Sequence, residues 1–146
     1  MQEIKRCLAL DVGDKTIGMA ISDLLGITAQ GLDTIRRKSN KEDLTTLGNV
    51  IDTYDIKILI VGLPKNMNGT EGDRCQLVRD FTSKVSNLYP NLEIKFWDER
   101  LSTVAAEKSL IAADVNRKKR KKVIDKMAAV HILQGFLDGF NLRGEL

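Results

Sequence analysis

The chain has 146 residues, of which 42% are hydrophobic and 29% are charged, and its formal net charge is only +3. These values predict a single globular domain over residues 1–146, and they exclude two full domains. No apolar run approaches the roughly 20 residues that cross a bilayer, which excludes a membrane-spanning protein.

The N-terminus and the cysteines indicate the compartment. Lys5 and Arg6 precede a short apolar segment, and no signal-peptide pattern is present there. We therefore expect a cytoplasmic protein without membrane association. Cys7 and Cys75 lack a C-x-x-C spacing, so they are predicted to be reduced, structural thiols.

Three strands are predicted near the N-terminus. They cover residues 4–10, 17–22 and about 31–35, because each of these segments is a short apolar run bounded by turn residues. The tight turn at Gly13 and Asp14 joins the first two strands. The three strands are therefore predicted to form a β-meander.

Helices and strands alternate in the remainder of the predicted structure. Asn40 is predicted to cap the first helix, whose apolar residues recur at helical spacing as far as residue 54. A strand over 57–61 is predicted to be buried on both faces, since it is continuously apolar after its first residue. A helix over 77–88 and a last strand over 92–97 follow. The two remaining predicted helices cover residues 101–113 and 123–140.

This order of elements predicts the fold class. Three meander strands followed by β-α crossovers give an α/β fold, with a mixed five-stranded sheet and helices on both faces. A doubly wound dinucleotide fold would alternate strand and helix from the start. Asp11 and Glu99 follow the first and last predicted strands. Because ligand sites collect at the carboxyl ends of such strands, these residues are predicted to lie side by side if the first strand is central.

Three carboxylates are the candidate catalytic and metal-ligating residues: Asp11, Glu99 and Asp125. Asp11 emerges directly from a buried strand, where an unpaired carboxylate is costly. The residues three, four and seven positions after Asp125 are small or apolar, so Asp125 is not on a solvent-facing side of its predicted helix. Oxygen ligands of this kind suit Mg²⁺, and two ions roughly 3.5–4 Å apart can drive phosphodiester hydrolysis.

Each carboxylate also has a structural interpretation. Asp11 could belong to a turn, and Glu99 could pair with Arg100 or begin a helix. Asp125 could complement the macrodipole of the helix in which it is predicted to lie. The metal site is favoured because it accounts for all three residues at once.

Basic residues are the candidate contacts to nucleic acid. A basic run suits a polyanion, and a solvated loop is the alternative. Residues 36–38 form a short run of this kind, and Lys15 in the first turn can either meet a phosphate or remain an exposed hairpin lysine. The longest run is unbroken and consists of Arg117, Lys118, Lys119, Arg120, Lys121 and Lys122.

A polar, glycine-rich loop follows the buried strand that ends near Val61. Loops at this end of a parallel strand commonly bind substrate. Its polar side chains are predicted to contact phosphate or sugar, and a loop held together by its own Asn side chains is an equal alternative. The candidate residues are Lys65, Asn66, Asn68 and Thr70.

Two other kinds of site are excluded. Residues 13–18 have the glycine spacing of a P-loop, but Met19 and Ala20 stand where Lys-Ser/Thr is required, so no nucleotide cofactor is expected. His131 is the only histidine and cannot supply a zinc site by itself; we predict that it is a packing or partly exposed residue.

Four blocks of the sequence, in order, resemble the signature blocks of the bacterial YqgF family, which belongs to the ribonuclease-H-like superfamily. They are LDVGDKTIGMAISD at 10–23, VGLPKNMNGTEG at 61–72, DERLST at 98–103 and KVIDKMAA at 122–129. The family is described both as Holliday-junction resolvases and as pre-16S ribosomal RNA nucleases. Four ordered blocks that span nearly the whole chain make the resemblance highly specific.

The resemblance implies a ribonuclease-H-like fold and an endonuclease that depends on Mg²⁺ or Mn²⁺, with two ions, and leaves a 5′-phosphate. It implies that Asp11, Glu99 and Asp125 are the acidic triad. Lys15, Arg100 and Thr103 are then expected to contact the substrate or support the triad. The expected partner is structured RNA or branched DNA, and the expected protein is a monomer or weak homodimer.

Processing of the 5′ end of pre-16S rRNA is the preferred function. Resolution of four-way DNA junctions and a non-catalytic nucleic-acid-binding module are the alternatives. A sugar-kinase or actin-like ATPase shares the sheet topology, but that class needs a second domain to close over ATP.

Overall fold

The computed structural model describes residues 5–101 and 127–139, and it contains one five-stranded sheet. The strands are β1 (Cys7–Val12), β2 (Thr16–Ser22), β3 (Ala29–Arg36), β4 (Ile58–Leu63) and β5 (Glu93–Asp98). The helices are α1 (Asn40–Thr53), α2 (Asp73–Leu88) and α3, the helical residues 127–139. Among the described residues, no helix is both long and apolar enough to span a membrane.

The sheet has the order β3-β2-β1-β4-β5, with β1 at its centre. The meander strands pair antiparallel, whereas β4 pairs parallel with both β1 and β5. Short turns can join the antiparallel strands, but each parallel strand requires a helical crossover. The predicted mixed sheet is confirmed.

Alternation along the strands divides the core into two layers. Leu8 and Leu10 of β1 belong to the cluster that packs under α1 and α2. Cys7 and Ala9 point to the opposite face and belong to the cluster that contains Ile132 of α3. Because successive side chains of a strand alternate between faces, both sides of β1 are buried. Helices therefore cover both faces, as predicted.

Several boundaries differ from the prediction, and two of these differences have a direct physical cause. β1 continues past residue 10, because Asp11 still pairs with Gly18 of β2. Ser39, not Asn40, is the N-cap of α1: Ser39 has the extended backbone that a cap needs, and its Oγ accepts a hydrogen bond from the Glu42 amide at 3.1 Å. The predicted cap at Asn40 is therefore wrong.

The last two predicted helices are described in part. Leu101 lies in a 3-10 turn, Glu99–Leu101, rather than in an α-helix. Residues 102–113 lie outside the described residues. Residues 127–139 are helical, in agreement with the predicted helix over 123–140.

Arg37 lies in the short basic run but has a structural role. Its side chain is only 14% exposed, and its Nε donates to Asp43 Oδ2 at 3.1 Å. Nη1 donates to the Gly13 carbonyl at 3.0 Å, and the guanidinium lies 5.1 Å from the centre of the Phe81 ring. Arg37 thus joins the β1–β2 turn to α1 and α2, which is incompatible with the polyanion contact expected from the run.

Both thiols are expected to be unreactive in the native protein. Cys7 and Cys75 are free and completely buried. Burial raises the pKa of the Cys7 thiol to about 11 and also raises the pKa of Cys75. Since only the thiolate is nucleophilic, about one Cys7 in a thousand would be reactive at pH 8. A colorimetric thiol reagent should therefore label two groups only after denaturation; rapid labelling of the native protein would contradict this.

Candidate active site

Asp11 lies within the central strand, on the face that α3 covers. Alternation places its side chain on the same face as Ala9, and Asp11 is half-buried. Its partner on β2 is Gly18. Leu10 pairs with Val61 of β4, so the next position, Gly62, is level with Asp11. The carboxylate is therefore flanked by a glycine on each neighbouring strand, and no side chain crowds it within the sheet.

Glu99 approaches Asp11 by lying across β4. A Cβ built on Gly62 would be 2.9 Å from Glu99 Oε1 and 3.2 Å from Glu99 Cγ, so the carboxylate lies directly over the Gly62 backbone. Glu99 Oε1 is buried there. Since Gly62 lies on the strand next to Asp11 and level with it, the Glu99 carboxylate lies over the strand that neighbours Asp11.

This arrangement corrects one prediction. The strands that precede Asp11 and Glu99 are not neighbours, because β4 lies between β1 and β5. The two carboxylates nevertheless share one face of the sheet, since Gly62 has no side chain to keep Glu99 away from β1.

α3 closes this part of the site from above. Ile132 Cδ1 would lie 2.6 Å from the same Cβ on Gly62, so the isoleucine packs beside the Glu99 carboxylate. Ala128, Ala129 and Ile132 are buried, and they are the residues three, four and seven positions after Asp125. Asp125 itself lies outside the described residues. Within residues 5–101 and 127–139, no group of three His, Cys, Asp or Glu side chains comes together.

Arg100 is held by Asp98 rather than by Glu99. Its Nε donates to Asp98 Oδ1 at 3.0 Å and its Nη2 donates to Asp98 Oδ2 at 2.6 Å. This guanidinium holds the pKa of Asp98 below its usual value, and the carboxylate raises the pKa of Arg100. Nη1 donates to the Met67 carbonyl at 3.3 Å. The geometry therefore does not support the alternative in which Glu99 is the ion-pair partner of Arg100.

The polar side chains of the loop after β4 bind one another. Asn66 Nδ2 donates to Thr70 Oγ1 at 2.9 Å, and Thr70 Oγ1 donates to Asn68 Oδ1 at 2.6 Å. The backbone amide of Asn66 donates to the Thr70 carbonyl at 2.9 Å. Gly69 has φ +86°, a conformation that favours glycine. For Asn66, Asn68 and Thr70 the structure thus favours the alternative in which the side chains hold the loop.

The predicted basic contacts are only partly described. Lys15 is exposed on the β1–β2 turn, at the end of the sheet where β1 finishes. Lys65 is half-buried beside the site, and its positive charge helps to lower the pKa of Glu71 and of Asp98. His131 is half-buried in α3. The other predicted substrate contacts, Thr103, Arg117, Lys118, Lys119 and Arg120, lie outside the described residues.

Sequence reasoning did not recognise the role of Gly18 and Gly62. It placed Gly18 in the second predicted strand without a role beyond the glycine spacing at 13–18, and it placed Gly62 in the loop; both lie in strands and flank Asp11. A glycine inside a strand marks a close approach by another group, and this is the signal that could have found them.

A family model and two curated relatives match most of this chain. A family model described as RuvX, Holliday junction resolvase, matches residues 5–139. A protein of Desulforamulus reducens is 59% identical over 133 residues, 91% of this chain and 96% of its own. A protein of Clostridium botulinum strain Hall is 52% identical over 136 residues, 93% of this chain and 98% of its own. Both relatives carry the name "Putative pre-16S rRNA nuclease".

A solved structure shows the same fold at low sequence identity. Thermus thermophilus RuvC, in complex with a Holliday junction substrate, is 10% identical and has a TM-score of 0.56. The match covers 97% of this chain and 98% of that one. At this identity the likeness establishes a shared ribonuclease-H-like fold and nothing further.

Proposed function

Because the chain belongs to the RuvX family, also called YqgF, we propose that it is a metal-dependent endonuclease that processes the 5′ end of pre-16S rRNA. One structural observation carries the catalytic part of this proposal: Asp11 and Glu99 share one face of the sheet, and Gly62 allows them to approach. Asp125 is proposed as the third ligand of the site.

The residues present fit a hard divalent cation. Carboxylate oxygens from separate elements suit Mg²⁺ or Mn²⁺, and both ions tolerate water as a further ligand. Gly62, which has no side chain, gives the Glu99 carboxylate room to lie over β4, on the face of the sheet that carries Asp11. When bound, two such ions supply activation of the attacking water and stabilisation of the leaving oxygen.

The chain's own groups account for positioning. Asp11 is carried by the central strand β1, which is more rigid than a loop, and Glu99, in the short turn after β5, is held where it packs over Gly62 of β4. Ile132 covers Glu99 on one side and keeps water from solvating that part of the carboxylate. Lys15, exposed at the same end of the sheet, is proposed to bind a substrate phosphate.

Substrate choice is proposed to depend on shape. Phosphate contacts from Lys15 and from the basic run at 117–122 give affinity without sequence preference, so binding should weaken steeply with salt. Structured RNA is recognised mainly by shape and by its unpaired nucleotides. The name carried by the curated relatives favours precursor rRNA over four-way DNA junctions as the substrate.

A cleavage assay tests the proposed function. End-labelled pre-16S rRNA, four-way DNA junction and plain duplex are incubated with the protein in Mg²⁺ or EDTA. We expect cleavage of the precursor rRNA in Mg²⁺ only, with 5′-phosphate ends. Asp125→Asn should reduce the rate by at least about a hundredfold, since even residues that only support metal ligands contribute 10–100-fold.

Three outcomes would contradict the proposal. Preferential cutting of the four-way junction would assign the alternative substrate. Activity that persists in EDTA would exclude the metal-dependent mechanism. Binding of RNA without any cleavage in Mg²⁺ or Mn²⁺ would identify a binding module instead.

A further inference from the structure

Met67 has the most exposed side chain among the large hydrophobic residues of the described chain. It is 91% exposed, at the tip of the loop that follows β4. An aliphatic side chain in water contributes no stability to the fold, because only buried apolar surface does so. Neither the core nor the carboxylate site explains why a methionine stands at this position.

The loop holds Met67 in a fixed position. The Gly69 amide donates to the Asn66 carbonyl at 2.8 Å, and the hydrogen bonds among the loop side chains close the turn around residue 67. Arg100 donates to the carbonyl of Met67 itself at 3.3 Å. A side chain carried on a preformed loop loses less conformational entropy on binding than one on a flexible loop.

Met67 lies at the end of the sheet that carries the carboxylates. Its loop leaves β4 directly after Gly62 and Leu63, and Gly62 contacts Glu99. Arg100, which holds the Met67 carbonyl, is the next residue after Glu99. Lys65, two residues before Met67, provides a positive charge on the same loop. The exposed thioether is thus continuous with the candidate active site, and Lys65 places a positive charge on the same loop.

We propose that Met67 packs against an unstacked nucleobase of the substrate, next to the phosphodiester that is cut. This inference rests on the proposed function, and it adds that the enzyme selects nucleic acid with an unpaired or easily unstacked nucleotide at that place. Methionine is an apolar, polarizable side chain, and apolar wedges of this type insert between bases in other nucleic-acid-binding proteins. The continuity of the Met67 loop with the candidate active site, together with the positive charge of Lys65, favours a nucleic acid over an apolar protein surface as the partner of this loop.

Binding measured without cleavage tests the proposed contact between Met67 and a nucleobase. In a Glu99→Gln background, Met67→Ala and Met67→Leu are titrated with pre-16S rRNA fragments that carry 2-aminopurine at single unpaired positions. Leu24→Ala is the matched control, because Leu24 is 75% exposed in the turn after β2, at the opposite end of the sheet. We expect Met67→Ala to weaken binding about fivefold, the lower end of the range for base-stacking residues. It should also abolish the 2-aminopurine fluorescence change at one position.

Met67→Leu should restore both signals, and Leu24→Ala should leave both unchanged. The nucleotide whose 2-aminopurine fluorescence depends on Met67 is then replaced by an abasic site. This replacement should weaken binding by the protein that retains Met67. It should also remove the difference in affinity between that protein and the Met67→Ala variant. This last comparison isolates the contact between side chain and base from any effect on the fold.

Unchanged RNA binding and unchanged 2-aminopurine fluorescence in Met67→Ala would overturn the inference. That result would indicate that the Met67 side chain contacts a protein instead of a nucleobase. Equal loss of affinity for abasic and intact RNA would also overturn it, because the effect would not depend on the base. If the Met67-dependent signal is present but the protein with intact Glu99 cleaves nothing, the contact between Met67 and the nucleobase is supported and the proposed nuclease function is wrong. The two ideas can therefore fail separately.

Discussion

Replacing Asp11 by Asn is expected to abolish cleavage and at the same time to stabilise the metal-free protein. The Asp11 and Glu99 carboxylates lie on the same face of the sheet and over neighbouring strands, and nearby like charges repel in the absence of a cation. Asn has the same shape without the charge. We expect a gain of about 0.5–2 kcal/mol, which is typical when an unfavourable surface or active-site charge is removed.

The measurement is thermal unfolding with and without Mg²⁺, together with the cleavage assay. Mg²⁺ should raise the melting temperature of the wild-type protein, because a ligand that binds only the native state stabilises it. In the Asp11→Asn variant, Mg²⁺ should no longer raise the melting temperature, and the cleavage rate should be lower by at least about a hundredfold. Asp33→Asn is the matched control, because Asp33 is an exposed carboxylate on the edge strand β3. If Asp11→Asn lowers the melting temperature and still cleaves, the assignment of Asp11 to the metal site is wrong.

Gly62→Ala is expected to inactivate the enzyme by adding a single methyl group. The new Cβ would lie 2.9 Å from Glu99 Oε1 and 2.6 Å from Ile132 Cδ1, and both distances are too short for normal contact. Glu99 must then move away from Asp11. We expect cleavage to fall by at least about a hundredfold, since a displacement of about 1 Å at a reacting centre has this effect. Overpacking should also cost about 1–3 kcal/mol of stability.

A second substitution separates the two consequences of this change. Ile132→Val removes the Cδ1 atom that the new methyl group would strike, and it leaves the Glu99 contact in place. The double variant Gly62→Ala/Ile132→Val should therefore regain most of the lost melting temperature but not the lost activity. Recovery of activity together with stability would show that the Glu99 position does not depend on Gly62.

The sheet topology was predictable because each strand has a clear sequence pattern. The continuous apolar run at 57–61 indicated a strand buried on both faces, and β4 is completely buried. The boundaries were less accurate where long-range contacts decide them. Asp11 interrupts an apolar run, so the pattern ended β1 at residue 10, but pairing with Gly18 extends the strand. The role of Arg37 was hidden for the same reason, since its partners come from three separate elements.

The sequence predicted that Asp11 and Glu99 lie close together, but it did not predict the geometry by which they approach. The positions of Asp11 and Glu99 after strands indicated that they share one end of the sheet. The path by which they meet could not be predicted, because it depends on the absence of a side chain at Gly62. For the loop after β4, composition could not distinguish Asn and Thr side chains that bind substrate from those that bind one another.

The parallel pairing of β4 with β1 and of β5 with β4 affects the order in which the candidate site is expected to form during folding. β1 and β2 are joined by a short turn, so the hairpin that carries Asp11 can form early through local contacts. Glu99 reaches its position only after β4 has paired with β1 and β5 with β4, and both are parallel, long-range pairings. Such pairings must first overcome the entropy of closing large loops, which makes them slow. We therefore expect the two carboxylates to come together among the last steps of folding, so that partly folded chains would lack the proposed activity.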